Sequence, residues 1–231
     1  MITVHHLNNS RSQRVLWMLE ELAQPYEIKR YQRDPKTMLA PDTLRNVHPL
    51  GKSPVITDGA LTVAESGVII DYLAHTYGDK SALPAPGSQQ WIDYNYWLHY
   101  AEGSLMPFLL LRLVFEKIKT SPMPFFAKPI AKGIADKTGK QFIDPQLNNH
   151  LDFIEAHLGK NQWFLGDEIS AADFQMSFPL EAALARGIVG RNRPNIANYV
   201  KRYQARPAYQ RALEKACEYD YAGGSLVRTD F

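Results

Sequence analysis

The sequence predicts an α/β domain followed by an all-α domain, and three observations lead to this fold class. Strand and helix patterns follow the order βαβ, α, ββα over about the first 78 residues. Beyond residue 88 apolar side chains recur every three or four positions, with no persuasive strand. The stretch between is rich in Gly, Pro, Ser and charge, which is typical of a linker. We therefore expect one domain over residues 1–79, a linker over 80–88 and a helical domain over 89–231.

The α/β domain opens with a strand, a helix and a second strand. Residues 2–7 are rich in β-branched side chains and predict a buried strand, which the polar loop at 8–10 ends. Apolar residues recur at helical spacing over 15–22, which predicts the first helix. Residues 26–31 alternate with a period of two and predict the second strand, and residues 43–46 allow a short helix.

A hairpin is predicted at residues 55–63, directly after Pro54. Proline lacks an N–H and fixes φ, so we expect it at the first position of an edge strand rather than in a central strand. A cis bond between Ser53 and Pro54 turns the backbone of Ser53 outward, where it can pair with an extended peptide. We therefore predict that this peptide bond is cis.

A helix begins after the hairpin with Glu65 and Ser66. Its first turn offers free N–H groups, the positive end of the helix dipole and the Ser66 hydroxyl, which together favour an anion. Lys52 and Ser66 can thus hold two carboxylates, and Glu65 can hold an ammonium group. A small ligand with two carboxylates, one amine and an extended peptide backbone is glutathione. For Lys52, Ser53 and Pro54 taken alone, the alternative is a solvated turn.

Residues 46–66 resemble the glutathione-binding half of the cytosolic glutathione S-transferases, and the resemblance extends from residue 2 to about residue 219. It is strongest to bacterial members. The resemblance implies a thioredoxin-like N-terminal domain, a cis Pro54 and glutathione as co-substrate, and the spacing of the histidines leads us to expect no metal. It also implies that Glu65 and Ser66 bind the γ-glutamyl end, and that two subunits form a homodimer around a two-fold axis.

The thiol of bound glutathione is expected at the loop between the first strand and the first helix. A thiol with a pKa of about 8.5 is mostly protonated at neutral pH, so the site must stabilise the reactive thiolate. Family members use Tyr, Ser, Cys or Asn there, and this loop offers Asn8, Asn9, Ser10 and Ser12. We predict Ser10 as the catalytic hydroxyl, with Asn9 as the alternative. Ser10 is also a candidate cap of the following helix, and the two roles are compatible.

The helical domain contains long apolar-periodic stretches that prolines interrupt. We expect the first long helix to kink at Pro107, and we expect breaks in a second helical stretch over 125–158. Ser170 and Asp173 have the spacing of a capping box, which indicates a structural role at the start of a buried helix. Two more helices are predicted, at 195–205 and 207–216, before a tail at 223–224 that we expect to be disordered.

Four more residues near the expected site are ambiguous. Tyr100 and Met106 are candidates for the wall of a second-substrate pocket, and plain interdomain packing is the alternative for both. Arg11 and Arg14 flank the thiol loop at helical spacing. We expect both arginines to be solvated rather than bound to carboxylates of the ligand.

Aromatic residues on the first helix of the second domain bear on assembly. Trp91, Tyr94, Tyr96 and Trp97 span two faces of this helix. One face can pack inside the subunit while the other meets a partner, and two-fold dimers are the commonest oligomers. We predict a homodimer, and the alternative is that all four aromatic residues belong to a single core.

Composition and charge exclude several classes of function. The 26 basic and 24 acidic residues are interspersed and give a net charge of +2, so we expect no nucleic-acid or membrane partner. The single cysteine, Cys217, excludes an internal disulfide and a CxxC pair, and we expect it to be a small buried apolar residue. None of the seven histidines has a metal-binding spacing. Without a leader or an apolar run of about 18 residues, we expect a cytoplasmic protein.

We interpret the sequence as a glutathione transferase that joins the glutathione thiolate to a hydrophobic electrophile. A glutathione-dependent disulfide reductase or peroxidase is one alternative, because the same fold and an Asn or Ser site support that chemistry. A non-enzymatic ligand-binding protein is another, since fold does not determine function. A thiol-disulfide oxidoreductase of the thioredoxin type is opposed by the absence of CxxC.

Overall fold

A computed structural model describes residues 1–216 and 219–223, and its first part contains a four-stranded mixed sheet. The strands lie in the order β2-β1-β3-β4. β1 and β2 are parallel, whereas β3 is antiparallel to both β1 and β4. The strands are β1 Ile2–Leu7, β2 Tyr26–Tyr31, β3 Val55–Asp58 and β4 Leu61–Ala64.

Pro54 precedes a strand that lies inside the sheet, so the predicted edge strand is wrong. β3 pairs with β1 on one side and with β4 on the other. The paired register starts at Val55, one residue after the proline. Because Pro54 lies just outside the ladder, its missing N–H removes no hydrogen bond between strands. The Ser53–Pro54 bond is cis, as predicted.

Nine α-helices occur in the described residues, and most bounds agree with the sequence patterns. Two short 3₁₀ segments lie at Asp42–Asn46 and Lys80–Ala82, the second of them inside the predicted linker. The helices are α1 Gln13–Glu21, α2 Ser66–Tyr77, α3 Gln89–Tyr100, α4 Met106–Thr120, α5 Lys128–Thr138, α6 Asp144–Leu158, α7 Ala171–Ala185, α8 Pro194–Gln204 and α9 Pro207–Ala216.

Two π-helical turns connect long helices in the second part. Ala101–Leu105 joins α3 to α4, and Gly139–Ile143 joins α5 to α6. Each turn lies directly before a helix whose second residue is a proline, Pro107 or Pro145. A proline removes one helical hydrogen bond, and a wider turn ahead of it lets the chain continue. The predicted irregularity at Pro107 therefore begins one turn earlier than the proline itself.

One hydrophobic core extends across both parts of the chain. Trp17 of α1 is fully buried. Its ring centre lies 4.6 Å from that of Phe174, 5.0 Å from that of Tyr203 and 5.7 Å from that of Tyr209. The first helix of the α/β part is thus enclosed by α7, α8 and α9 of the helical part.

The start of α7 confirms the predicted capping residues. The carboxylate of Asp173 accepts hydrogen bonds from the Ser170 N–H at 2.8 Å and from the Ser170 hydroxyl at 2.9 Å. It also accepts from the Phe164 N–H at 3.0 Å and the Tyr199 hydroxyl at 3.1 Å. Because Asp173 is completely buried, these four donors replace the water that it loses on folding.

The predictions for Cys217 and for Gly224 of the tail fall outside the described residues. In the part of the chain that is described, every helix is too short or too polar to cross a membrane. The same residues contain no group of three or more His, Cys, Asp or Glu side chains that could hold a metal ion.

Candidate functional site

A cleft of about 260 Å³ opens beside the cis Pro54, between the sheet and the first π-helical turn. All five residues predicted to bind glutathione line it. The lining consists of Arg11, His48, Leu50, Lys52, Ser53, Pro54, Val55, Ala64, Glu65, Ser66 and Glu102.

The loop before β3 shapes one side of the cleft. Gly51 has a φ of +57°, and a Cβ there would lie 2.8 Å from the Arg45 side chain, so only glycine fits this turn. The turn brings Lys52 and Ser53 to the cleft. The Ser53 hydroxyl donates to the carbonyl of His5 at 2.9 Å, which attaches the loop to the neighbouring strand β1.

The start of α2 forms another side of the cleft. Glu65 precedes the helix with a φ of 69°, a left-handed conformation that is unusual for a residue with a side chain. Ser66 is the first helical residue and is almost fully buried. The first N–H groups of α2 therefore adjoin a carboxylate and a hydroxyl that both line the cleft.

Arg14 lies behind Ser66 and is buried, so the expectation that it is solvated is wrong. Its side chain has no exposed surface. One terminal nitrogen donates to Gln175 at 2.7 Å and to Ser66 at 3.4 Å, and the other donates to Glu102 at 2.9 Å. Burial lowers the pKa of Arg14, and the Glu102 carboxylate opposes this shift. An arginine keeps its charge even so, and a cation therefore lies beneath the floor of the cleft.

Glu102 is brought into the cleft by the π-helical turn. Its carboxylate pairs with Arg11 at 2.8 Å as well as with Arg14. Arg11 is about one third exposed and lines the cleft, so it is neither fully solvated nor buried. The role of Gln175 was not predicted, although a glutamine inside the apolar run of α7 is a signal of a buried polar contact.

The Ser10 hydroxyl lies at the edge of this site. Its oxygen is 3.5 Å from the hydroxyl oxygen of Ser53, which lines the cleft. It is 2.7 Å from the hydroxyl oxygen of Ser12 and accepts from the Ser12 N–H at 3.3 Å. Ser12, rather than Ser10, occupies the N-cap position of α1. Ser10 thus lies two residues before the N-cap and accepts a hydrogen bond from the backbone N–H of the N-cap residue.

The Ser12 hydroxyl also contacts His6 of β1. Its oxygen lies 2.8 Å from Nδ1 of the buried His6 ring. Burial, followed by the charge of Arg30, lowers the pKa of His6 to about 4. The imidazole is therefore neutral near pH 7.

Asn9 has a different set of contacts. Its φ is 49°, and its side chain exchanges two hydrogen bonds with Asp220, one to the carboxylate and one from the N–H, both at 2.8 Å. Both polar atoms of the amide are therefore engaged near the C-terminal end of the described chain. The choice between Ser10 and Asn9 as the donor to a thiolate stays a prediction.

Tyr100 and Met106 do not line the cleft. Tyr100 is buried at the end of α3, where its ring packs against Tyr96 and Trp97, and its hydroxyl bonds His150 of α6. Met106 is partly buried against the core. The packing of Tyr100 lies within the helical part rather than between domains. A pocket-wall role for Tyr100 and Met106 stays a prediction.

The four-stranded sheet with its helices and the helical part that follows define a thioredoxin-like domain joined to an all-helical domain, with a polar cleft beside the cis Pro54. Comparisons with known proteins identify its family. Residues 10–76 match the family model for the glutathione S-transferase N-terminal domain, and residues 124–207 match the model for the C-terminal domain.

Relatives match over almost the whole length. Glutathione S-transferase 3 of Schizosaccharomyces pombe is 36% identical over 93% of this chain and 88% of its own length. Glutathione S-transferase 1 of Saccharomyces cerevisiae is 35% identical over 94% of this chain and 95% of its own. A solved glutathione S-transferase structure from Actinobacillus pleuropneumoniae has a TM-score of 0.78 and 32% identity, covering 96% of this chain and 95% of that one. The chain belongs to the glutathione S-transferase family.

Proposed function

We propose that the protein conjugates the thiolate of glutathione to a hydrophobic electrophile. The observation that carries this proposal is that Lys52, Ser53, Pro54, Glu65 and Ser66 line one cleft. The sequence predicts these same five residues as the partners of the carboxylates, the ammonium group and the backbone of glutathione. Membership of the family supports the same reaction.

The charges around the cleft suit an extended tripeptide. The γ-glutamyl carboxylate is assigned to Ser66 and the N-terminus of α2, with the Arg14 cation behind them. Glu65 takes the γ-glutamyl ammonium group. The backbone of Ser53 pairs with the cysteinyl unit, and Lys52 takes the glycyl carboxylate.

The chemistry requires a thiolate, and Ser10 is assigned as its donor. The thiol proton leaves to solvent, and the Ser10 hydroxyl donates a hydrogen bond that stabilises the sulfur anion. The sulfur lone pair then forms a carbon–sulfur bond with the electrophile. With a chlorinated aromatic electrophile, chloride departs with the electron pair of the carbon–chlorine bond. Tyr100 and Met106 remain candidates for the surface that binds this electrophile.

Membership of the family also supports our proposals for the domain bounds, the oligomeric state and the location of the protein. We assign residues 1–79 to the glutathione-binding domain, 80–88 to the linker and 89–231 to the helical domain. We also assign a homodimer and a cytoplasmic location. The aromatic residues of α3 support the dimer, because Tyr94 and Trp97 are buried while Trp91 and Tyr96 are 40% and 46% exposed.

Conjugation of glutathione to a chlorinated aromatic electrophile tests the function. We expect activity in the wild-type protein and a loss of about 100-fold in kcat for Ser10→Ala, the effect of removing one anion-stabilising donor. Asn9→Ala is the matched control and should retain most of the activity. If the wild-type protein instead reduces a small mixed disulfide and does not conjugate, it is a glutathione-dependent reductase. If it binds glutathione without either reaction, the enzymatic assignment is wrong.

A further inference from the structure

Three side chains form a hydrogen-bonded row that ends at the Ser10 hydroxyl. Nδ1 of His6 lies 2.8 Å from the Ser12 hydroxyl oxygen, which lies 2.7 Å from the Ser10 hydroxyl oxygen. All three residues are buried, with exposed fractions of 2%, 0% and 4% in that order. The row therefore operates without competition from bulk water.

The direction of the protons in this row follows from the other ring nitrogen of His6. Nε2 is buried and has no hydrogen-bond partner among the described residues. A buried N–H without an acceptor costs more than a buried lone pair without a donor, so the proton belongs on Nδ1. Nδ1 then donates to the Ser12 hydroxyl oxygen. Two acceptors remain for the Ser12 proton, the Ser10 hydroxyl oxygen at 2.7 Å and the Leu7 carbonyl oxygen at 3.5 Å, and the shorter contact directs the proton to Ser10.

The proton of Ser10 is left for a partner outside the row. With the Ser12 proton directed in this way, Ser10 accepts from the Ser12 hydroxyl as well as from the Ser12 N–H. Among the residues that the structure describes, its remaining hydrogen-bonding neighbour is the Ser53 hydroxyl oxygen at 3.5 Å, longer than an ordinary hydrogen bond between hydroxyls. Ser53 itself donates to the His5 carbonyl.

We propose that His6 and Ser12 are positioning residues that orient the Ser10 hydroxyl proton toward the glutathione sulfur. This inference rests on the proposed role of Ser10. Each donor in the row polarises the next, which strengthens the last hydrogen bond to the thiolate.

The thiol pKa of bound glutathione, measured from the ultraviolet absorbance of the thiolate, tests this row. Ser12→Ala and His6→Leu interrupt it, and we expect both to raise that pKa by about one unit, with about tenfold lower kcat/KM near pH 6.5. The KM for glutathione should change less than about twofold, because neither residue touches the cleft. His6→Asn keeps an N–H at the position of Nδ1 and should retain the wild-type thiol pKa.

Ser10→Ala separates this inference from the proposed function. If Ser10→Ala leaves the thiol pKa unchanged, both the role of Ser10 and the row are refuted. If Ser10→Ala raises it while Ser12→Ala and His6→Leu do not, the row alone is refuted. Where Ser12→Ala fails to fold, the contrast between His6→Leu and His6→Asn decides.

A second inference concerns a basic surface far along the chain from these residues. The chain has 13 lysines, and six of them fall within residues 117–140, together with a single acidic residue, Asp136. This segment covers the end of α4, the connection and all of α5. Lys119 pairs with Asp136 at 2.8 Å. Among the described residues, the other five lysines form no ion pair.

Large apolar side chains are exposed within the same segment. Phe125, Phe126, Ile130 and Ile134 are 85%, 66%, 65% and 56% exposed. Ile130 and Ile134 are four residues apart on α5, so they share one face of the helix. The rings of Phe125 and Phe126 lie 5.7 Å apart just before it. We call this surface the basic hairpin, defined by residues 117–140.

We propose that the basic hairpin docks on an anionic phospholipid bilayer, with Phe125 and Phe126 in the headgroup region. Exposed aromatic and branched side chains among unpaired lysines are the features of surfaces that bind such membranes. A second copy of the chain suits the surface poorly, because a two-fold contact would bring the five lysines against their own copies. The expectation of no membrane partner came from the net charge of +2, which conceals this local excess.

Sedimentation with vesicles tests this docking. We expect the full chain to bind vesicles of phosphatidylcholine and phosphatidylglycerol at low salt, and to be released at high salt or from phosphatidylcholine alone. Lys128→Glu with Lys132→Glu, and Phe125→Ser with Phe126→Ser, should each weaken binding at least about tenfold. Lys160→Glu with Lys201→Glu, and Leu61→Ser, are matched exposed controls that should bind as wild type.

Three results overturn the docking proposal. One is the absence of binding to anionic vesicles at low salt. Another is equal binding by the hairpin variants and the controls. A third is a change in the sedimentation mass of the free protein caused by Phe125→Ser with Phe126→Ser, because the surface would then join two copies of the chain.

Discussion

The guanidinium of Arg14 lies 2.7 Å from the amide oxygen of Gln175, a residue 161 positions further along the chain. The same buried group bonds Glu102 and Ser66. A single cation therefore connects the helix start assigned to the γ-glutamyl carboxylate with two helical segments of the second part. The ligand site and the contact between the two parts of the protein share this residue.

The pair of arginines beside Glu102 gives the first prediction. Arg14→Met should lower the free energy of unfolding by about 3–5 kcal/mol, because it leaves the Glu102 and Gln175 groups without their buried partner. Arg11→Met is the control, since Arg11 pairs with the same carboxylate near the surface and should cost at most about 1 kcal/mol. Urea unfolding measures both values. Equal losses of unfolding free energy in the two variants would mean that the burial of Arg14 does not increase what its ion pair contributes to stability.

The start of α2 gives the second prediction. Replacing both Glu65 and Ser66 by alanine should weaken glutathione binding by at least about 2 kcal/mol, because hydrogen bonds to charged groups contribute about 1.5–3 kcal/mol each. Isothermal titration calorimetry provides the measurement. Thr62→Ala is the control, because it changes an exposed residue of β4, the strand directly before α2, and should leave the affinity unchanged. An unchanged affinity in the double variant would place glutathione elsewhere.

The third prediction concerns stability at low pH. The pKa of His6 is lowered from 6.5 to about 4 in the folded protein. Between these two pH values the unfolded chain binds the proton and the folded chain does not. The stabilisation of the folded state by neutral His6 is therefore complete above pH 6.5 and declines as the pH falls. Between pH 7.5 and pH 5.0 the wild type should lose about 2 kcal/mol more stability than His6→Asn.

Urea unfolding at the two pH values measures this difference, because the other titrating groups are common to both proteins and cancel. A variant with the same pH dependence as the wild type would show that His6 titrates normally in the folded state.

The fourth prediction is the mass of the assembly. We expect a homodimer of about twice 26.3 kDa by analytical ultracentrifugation at micromolar concentration. Trp91→Ser with Tyr96→Ser should shift the protein toward the monomer, because both side chains are exposed on α3. Ile130→Ser, at an exposed position of the basic hairpin, is the control and should leave the mass unchanged. A single 26.3 kDa species in the wild type refutes the dimer.

Local sequence signals predicted much of the fold and of the cleft. The hairpin after Pro54 and the helix start at Ser66 both follow from turn chemistry and apolar spacing within a few residues. The capping pair Ser170 and Asp173 is equally local. The edge-strand prediction for β3 failed because the place of a strand within a sheet depends on pairing with distant strands, which no short stretch encodes.

The contacts of the buried polar residues were beyond local reasoning. Arg14 has the helical spacing of a solvated residue, and its burial depends on Gln175 and Glu102 arriving from distant segments. The row from His6 to Ser10 likewise depends on how β1 meets the loop before α1. The positive charge of the basic hairpin could be predicted from the spacing of the lysines, but the net charge of the whole chain does not reveal this local excess.

The rings around Trp17 give the protein a built-in optical reporter. An indole that is fully buried and surrounded by Phe174, Tyr203 and Tyr209 should emit at short wavelength and receive excitation energy from the neighbouring tyrosines. Separation of α1 from α7, α8 and α9 would expose this indole to water and shift its emission to the red. The chain has four tryptophans, so a variant that retains only Trp17 would report by its fluorescence whether the two parts of the chain come apart before either of them unfolds.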